Sequence, residues 1–316
     1  MLDLVSLVIC TADRSKSLEK TLQSLEKITY KNFEVIIIDA SSTKETIEML
    51  GKLSSSFSFK MQWDTLDKKN ISCSRNLGIS LALGSIIAFL DDDAIPPPNW
   101  IEQLLATYLA NGEKCAGVGG AVRDMTRTSY PLQFSRGISN VFSETIHIRD
   151  SKAFDYNNPQ GFWYNSLMGA NSSYRREALE KIKGYDEFFE YFLDETDVCL
   201  RLINAGYEIH YSDVVVEHYP QPSHNRKDQK HLTCWYALAK NTTYFALKHG
   251  YKKVFFPILI ARLVLVLIFR CILRIIRLKF THNLPNSILF KYIQEAIEGL
   301  RMGWQAGLGL HKAKSI

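Results

Sequence analysis

The chain has 316 residues, 46% hydrophobic and 22% charged, which suits one large or two modest globular domains and excludes a disordered or low-complexity protein. A formal net charge of +5 is too mild to point to a nucleic-acid partner, and the basic residues crowd the C-terminal third. Cys10, Cys73, Cys115, Cys199, Cys234 and Cys271 are scattered with no CxxC and no Cys/His cluster, which argues against a zinc site or a disulfide framework and for a reducing compartment. Asp3 and the Asp13-Arg14 pair interrupt any leader-like apolar stretch, so a cytoplasmic chain is expected.

Residues 5–10 read as a buried strand, and Leu18, Leu22 and Leu25 then recur at helical spacing behind Ser15 and Ser17. A second apolar strand at 33–38 ends at Asp39, followed by a short helix at 43–50 closed by Gly51 and a third strand at 57–63. A helix at 74–83, a strand at 86–90 and a helix at 98–109 with proline at its start come next. From 125 to 162 no period is visible, which suggests a long, partly irregular excursion. Beyond Gly169 the pattern returns: a short helix at 176–183, a helix at 195–204 ended by Gly206, and strand-like runs at 207–211 and 214–216. Continuous apolar strands alternating with helices imply an α/β fold with a mostly parallel, Rossmann-like sheet covered on both faces. The polar ends of three strands, at Thr11, Asp39 and Asp91 to Asp93, are expected to meet at one edge of that sheet.

The triplet Asp91-Asp92-Asp93 directly follows the apolar run Ile86-Ile87-Ala88-Phe89-Leu90. Three adjacent carboxylates repel one another unless a cation or hydrogen-bond donors sit among them. At the C-terminal end of a parallel strand, that points to a metal-assisted site for an anionic ligand such as a nucleotide diphosphate; an acidic turn is the plainer alternative.

Six segments in order carry a resemblance. They are Ser6 to Arg14, Ile37 to Ser42, Ser74-Arg75-Asn76-Leu77-Gly78-Ile79, Phe89 to Asp93, Gly169 to Arg176, and Leu193-Asp194-Glu195-Thr196-Asp197-Val198-Cys199-Leu200-Arg201-Leu202. Together they are similar to family 2 glycosyltransferases of the GT-A fold over roughly residues 4 to 220. The resemblance implies that a nucleotide-sugar donor (a UDP-, GDP- or dTDP-sugar) binds at Thr11, Asp39, Arg75, Asp91 and Asp92. Asp39 would meet the base, with a turn-capping role as alternative, and Arg75 the diphosphate or base, with an ion pair as alternative. Where the family often has a second Asp, this chain has Ala40. Asp91 to Asp93 resemble the DxD element, so Asp93 and Asp91 are expected to hold Mn²⁺ or Mg²⁺, with His218 as a third ligand or a structural residue.

The family's usual Glu-Asp-x-Asp appears here as Asp194-Glu195-Thr196-Asp197. Its general base falls on Glu195, the swapped order leaves Asp194 open, and Asp197 is expected to pair with Arg201 at i+4. Gly169, Ala170 and Asn171 would line the acceptor side, with Trp163 and Tyr164 able to stack on a sugar or to pack in the core. The implied activity is inverting transfer of one sugar to a hydroxyl of a surface glycan or lipid-linked saccharide. The processive signature Gln-x-x-Arg-Trp is absent. A sugar nucleotidyltransferase and an inactive nucleotide-sugar-binding module are the rivals; the first usually needs a Gly-rich phosphate loop, and residues 11–17 contain no glycine.

Residues 254–280 are apolar but divided by Arg262, Arg270, Arg274 and Arg277, so no uncharged run approaches the roughly 18 residues of a spanning helix. At about 100° per residue the four arginines share one face, the pattern of a helix lying in a membrane interface with its basic side toward anionic headgroups; a helix packed on the catalytic domain with its arginines exposed is the alternative. Residues 286–302 look like a further amphipathic helix, and the polar, basic stretch 221–230 is read as either a loop that closes over the donor or an ordinary solvated loop. The expected organisation is a nucleotide-sugar half at 1–124, an acceptor and catalytic half at 125–250, and a helical tail at 251–316 held peripherally at the inner face of the cell membrane.

Overall fold

The apolar runs that dominate the first ninety residues become buried strands. In the computed structural model of the chain the described residues are 4–129, 131–148, 156–223, 234–282 and 284–309. The elements begin β1 (Val5–Thr11), α1 (Ser15–Leu25), β2 (Phe33–Asp39), α2 (Glu45–Leu53), β3 (Lys60–Thr65), α3 (Ile71–Leu81), β4 (Ile86–Asp91), β5 (Ala94–Ile95) and α4 (Trp100–Asn111). They continue with β6 (Cys115–Asp124), β7 (Leu132–Phe134), β8 (Arg136–Ser139), β9 (Thr145–Ile148), β10 (Tyr164–Ser166), β11 (Ser172–Arg175), α5 (Arg176–Lys181), α6 (Asp194–Asn204) and β12 (Glu208–His218). Four helices close the chain: α7 (Trp235–Gly250), α8 (Phe256–Leu267), α9 (Arg274–His282) and α10 (Asn286–Gly307).

Among the described residues, the main sheet runs β3-β2-β1-β4-β11-β6-β12-β5, with β7 added beside β6, and β10-β8-β9 form a small second sheet. The first four strands are parallel. The second half is mixed, because β11 runs antiparallel to both β4 and β6 while β12 is parallel to β6. The parallel register sets Thr11 beside Asp39 and Cys10 beside Asp91, so the three polar strand ends do meet at one edge. Leu7, Ile9, Val35, Ile37, Ala88 and Leu90 bury against Leu18 and Leu22 of α1 and Trp100 and Leu104 of α4. Each such large side chain contributes about 1.5–3 kcal/mol.

Several boundaries differ from expectation for local reasons. Helix α3 begins three residues early because Asn70, extended at φ −130°, accepts a hydrogen bond from Cys73 N at 3.1 Å and caps it. Helix α2 runs through Gly51 to Leu53, since the cost of about 1 kcal/mol for one helical glycine does not end a helix. The two strand-like runs after Gly206 are one strand, β12, with a register shift between Tyr211 and Val215.

The chain divides into two compact units, the larger drawn from Met1–Ile138, Ile146–Glu190 and Asp194–Ser223, the smaller from Ser139–Thr145, Tyr191–Leu193 and His224–Ile316. The larger holds the sheet. In the smaller, α10 lies against α7 through glycines at helical spacing: a Cβ on Gly299 would meet the Tyr236 carbonyl, and one on Gly303 the Lys240 carbonyl. Backbones approach this closely only where side chains are missing. Phe192 and Leu193 adopt left-handed φ of 75° and 67°, strained for bulky residues, and Asn241 Nδ2 holds them by donating to the carbonyls of Tyr191 and Phe192.

Helix α8 passes through a wide π turn at Ile268–Leu273 into α9, giving one continuous helix, Phe256–Thr281, long and apolar enough to cross a membrane by length and composition. The arginines share a face, as the periodicity implies, and three of them have partners within this unit. Arg270 donates to the Ser143 carbonyl, to Thr145 Oγ1 at 3.1 Å and to Thr242 Oγ1 at 3.2 Å. Arg262 meets Glu144 at 3.3 Å, and Arg274 lies over the Trp235 ring at 5.5 Å. Arg270 is thus partly buried among hydroxyl and carbonyl groups, while Arg262, Arg274 and Arg277 stay exposed. The outward surface is apolar, with Ile258, Leu265, Phe269, Ile272, Ile276 and Phe280 exposed.

Candidate active site

The edge where β1, β2 and β4 end gathers the acids. Asp91 closes β4, and β5, two residues further on, pairs antiparallel with the end of β12 so that His218 lies opposite Ala94. That pairing carries the imidazole to the triplet across 125 residues of chain. His218 Nε2 lies 3.0 Å from Asp93 Oδ1 and 3.8 Å from Asp91 Oδ2. One ligand atom from each of Asp91, Asp93 and His218 falls within 4.8 Å of the others. Neighbouring ligands of an octahedral cation with bonds of about 2.1 Å sit about 3 Å apart, so this donor set fits a divalent ion. Asp93 and His218 are buried, while Asp91 remains partly open.

Asp92 faces the other way. Its carboxylate accepts from Thr11 Oγ1 at 2.6 Å and Arg14 Nε at 3.0 Å, and its carbonyl accepts from Thr21 Oγ1. Arg14 also reaches Asp93 Oδ2 at 3.0 Å. Burial pushes Asp92 up to about 7 against the pull of Arg14. Asp92 and the Thr11 hydroxyl are engaged with each other just beyond the paired ends of β1 and β4. Asp39 Oδ1 accepts from Ser41 N at 3.0 Å and from the Ser41 hydroxyl, so it closes its own turn; burial raises its carboxyl.

A second cluster forms where α6 begins. Arg75, buried, pairs through Nη1 with Asp194 and through Nη2 with Glu195 Oε1 at 2.8 Å. Its guanidinium lies against the rings of Tyr185 at 5.1 Å and Phe89 at 5.7 Å. Arg75 is thus engaged by the acids of α6. Asp194 is 2% exposed and Glu195 18%, so Glu195 is the reachable member of the pair. Burial and the adjacent Glu195 charge raise Asp194 well above the usual carboxylate range. Burial also acts to raise Glu195, but Arg75 and the hydrogen bond from Asp194 outweigh it and leave Glu195 low. Within the coupled pair the directions diverge, Asp194 upward and Glu195 downward, as for two carboxyls in unlike surroundings. Gly169 makes room for this: a Cβ there would meet both Glu195 Oε1 and the Arg75 guanidinium. Asp197 pairs with Arg201 Nε at 2.7 Å, as the i+4 spacing implied.

The two clusters are neighbours, since Arg75 and Asp91 line the same small cavity together with Cys10 and Phe89. Of the expected acceptor residues, Asn171 is fully buried, with its amide oxygen accepting from Trp100 Nε1 at 2.9 Å and its NH₂ donating to the Ala121 carbonyl at 3.0 Å. It braces the sheet through these bonds. Ala170 and Tyr164 are buried, while Trp163 is half-buried against exposed Phe162 at 5.2 Å. In the stretch 221–230 expected to form a closing loop, residues 224–230 lie outside the described residues.

The sequence model described as "Glycosyl transferase family 2" matches residues 6–183. The chain belongs to that family. A second match in this family 2 glycosyltransferase, described as "N-terminal domain of galactosyltransferase", covers residues 150–225. It is 26% identical over 194 residues to the glucosyl-dolichyl phosphate glucuronosyltransferase of Haloferax volcanii, covering 58% of this chain and 56% of the relative. It is 25% identical over 248 residues to the dolichyl N-acetyl-alpha-D-glucosaminyl phosphate 3-beta-D-2,3-diacetamido-2,3-dideoxy-beta-D-glucuronosyltransferase of Methanococcus voltae, covering 76% and 73%. The chain spans about half the length of the first of these relatives. The mannosyltransferase PcManGT of Pyrobaculum calidifontis, solved with GDP-Man and Mn²⁺, superposes with a TM-score of 0.57 at 15% identity over 99% of this chain and 88% of its own. The GT-A-like fold follows.

Arg14 escaped the sequence reading as a partner of the acids. The signal was present: with β1 and β4 as parallel neighbours, the cation just beyond Thr11 lands on the carboxylates just beyond Leu90. The clamp of Arg75 on Asp194 and Glu195 joins residues 119 and 120 positions apart and has no such local signal.

Proposed function

We propose that this glycosyltransferase moves a single sugar from a nucleoside diphosphate sugar to a hydroxyl of a polyprenyl-linked saccharide, inverting the anomeric centre. The observation that carries this reading is the reachable Glu195, held by Arg75, which lines one cavity with Asp91 of the Asp91, Asp93 and His218 cluster. Glu195 would take the proton from the acceptor hydroxyl, while Arg75 and Asp194 hold its carboxylate in place. Asp91, Asp93 and His218 would hold the divalent cation, which when bound offsets the charge of the departing nucleoside diphosphate. Asp39, at the neighbouring strand end, would meet the base, and half-buried Trp163 the acceptor sugar. The dolichyl phosphate acceptors in the names of the two relatives support the lipid-linked part.

The test is hydrolysis of a panel of UDP-, GDP- and dTDP-sugars with Mn²⁺, Mg²⁺ or EDTA. One nucleotide-sugar should be cleaved only with a divalent ion; cleavage of none, with no metal-dependent nucleotide binding, would remove this assignment.

The apolar outer face of the 256–281 helix supports seating in a lipid membrane, and the inner face of the cell membrane is the proposed side. Phe269→Asp and Phe280→Asp alter outward residues, so the fold should persist. A charge inside the bilayer costs about 2.5–3.5 kcal/mol, so co-flotation with phospholipid vesicles should fall more than about tenfold in the double variant. Equal flotation would place the membrane contact elsewhere.

A further inference from the structure

Resting on the cation site proposed above, we infer that Gln133 is a positioning residue for the metal: it fixes His218 with its proton on Nδ1 and so presents Nε2 to the ion.

Two independent features of the backbone and side chains lead there. The first is local geometry on β7. In its pairing with β6, Val122 lies opposite Phe134 and Arg123 opposite Leu132, so Gln133 is the extra residue of a bulge. A bulge leaves one residue out of the ladder and re-aims its side chain, a common device beside active sites. Here the re-aimed side chain reaches the imidazole, with Gln133 Oε1 lying 2.8 Å from His218 Nδ1. The second feature is the opposite ring edge, where Nε2 lies 3.0 Å from Asp93 Oδ1 and 3.8 Å from Asp91 Oδ2.

Both ring nitrogens thus face oxygen. An amide oxygen can only accept, so Nδ1 carries hydrogen and donates to Gln133, and the lone pair that can coordinate lies on Nε2. Turned over, the amide would offer its NH₂ to Nδ1 and drive the proton onto Nε2, where it would block coordination. The ring is otherwise well fixed: the His218 carbonyl accepts from Met125 N at 2.8 Å, and the Asp93 carbonyl from Tyr219 N at 2.8 Å. These main-chain bonds set where the ring sits, and Gln133 sets which nitrogen is open. Outer partners of this kind raise ligand basicity and typically change metal affinity 10–100-fold. A nitrogen ligand also favours a transition ion over Mg²⁺, so Gln133 biases the site toward Mn²⁺.

The experiment uses the full chain with a saturating nucleoside diphosphate (UDP and GDP in separate series), and reads free Mn²⁺ by electron paramagnetic resonance during titration. Gln133→Met keeps the length and removes the acceptor, and should weaken Mn²⁺ by roughly tenfold, with Mg²⁺, measured by competition, weakened less. Gln133→Glu keeps an acceptor that cannot turn over, and should bind Mn²⁺ as tightly as the native chain or more so. A purely structural role would make both variants equally weak, which overturns the inference. So does native affinity in Gln133→Met. If the native chain itself takes up no Mn²⁺, the cation site fails first, and His218→Ala would then leave the titration unchanged.

Discussion

Glu195→Gln is expected to lower sugar transfer by about 10²–10⁴-fold, the usual contribution of a positioned general base. The amide keeps the size of the side chain and can still lie against Arg75, so the binding constant for the nucleotide-sugar should stay within about twofold. The loss therefore belongs in turnover and not in apparent affinity. Asp194→Asn gives a different profile: Asp194 is buried beneath Arg75, and its replacement loosens the clamp that orients Glu195, so turnover falls through positioning. Transfer by Glu195→Gln within about tenfold of the native rate would move the base elsewhere.

Arg14→Met is expected to be the most damaging exposed-edge substitution for stability. Arg14 is the cation that bridges Asp92 and Asp93, whose side chains are fully buried. Methionine fills similar space and leaves both carboxylates without it. Breaking a buried pair by removing one partner costs about 3–5 kcal/mol. Thermal or urea unfolding of the two chains without divalent ions measures the loss. Arg14→Lys, which keeps charge but not the planar fork, should recover part of it. A native midpoint in Arg14→Met would mean that Thr11 and backbone donors suffice to hold the triplet.

Much of the sheet edge was legible because its causes are local. Ile86 to Leu90 is apolar on both faces and can be little else than a buried parallel strand, and the same holds for β1 and β2. Strand β6 was not legible: Gly117, Gly119 and Gly120 thin its apolar pattern, and those glycines are explained only by neighbours distant in sequence, among them Ile209, Asn171 and Val214. The acids of the site could be placed from order and spacing, yet the partners that settle their chemistry could not. The ion pair of Arg75 with α6 and the bond from Trp100 to the Asn171 amide both join residues far apart in sequence. The arginine stripe shows the same limit. Periodicity reveals that Arg262, Arg270 and Arg274 share a face, but its direction depends on Glu144, Ser143, Thr145, Thr242 and Trp235.

The backbone contact between α7 and α10 sets how freely the last helix can drift in sequence. Positions 299 and 303 are closed even to alanine, because the added carbon would meet main-chain atoms that cannot rotate away. Phe290 and Ile297 on the outer side touch little of their own chain, and any solvent-compatible or lipid-compatible residue fits there. Descendants of this sequence should therefore keep the glycine spacing while exchanging the outer residues, so that the helix records its partner on one side and its surroundings on the other.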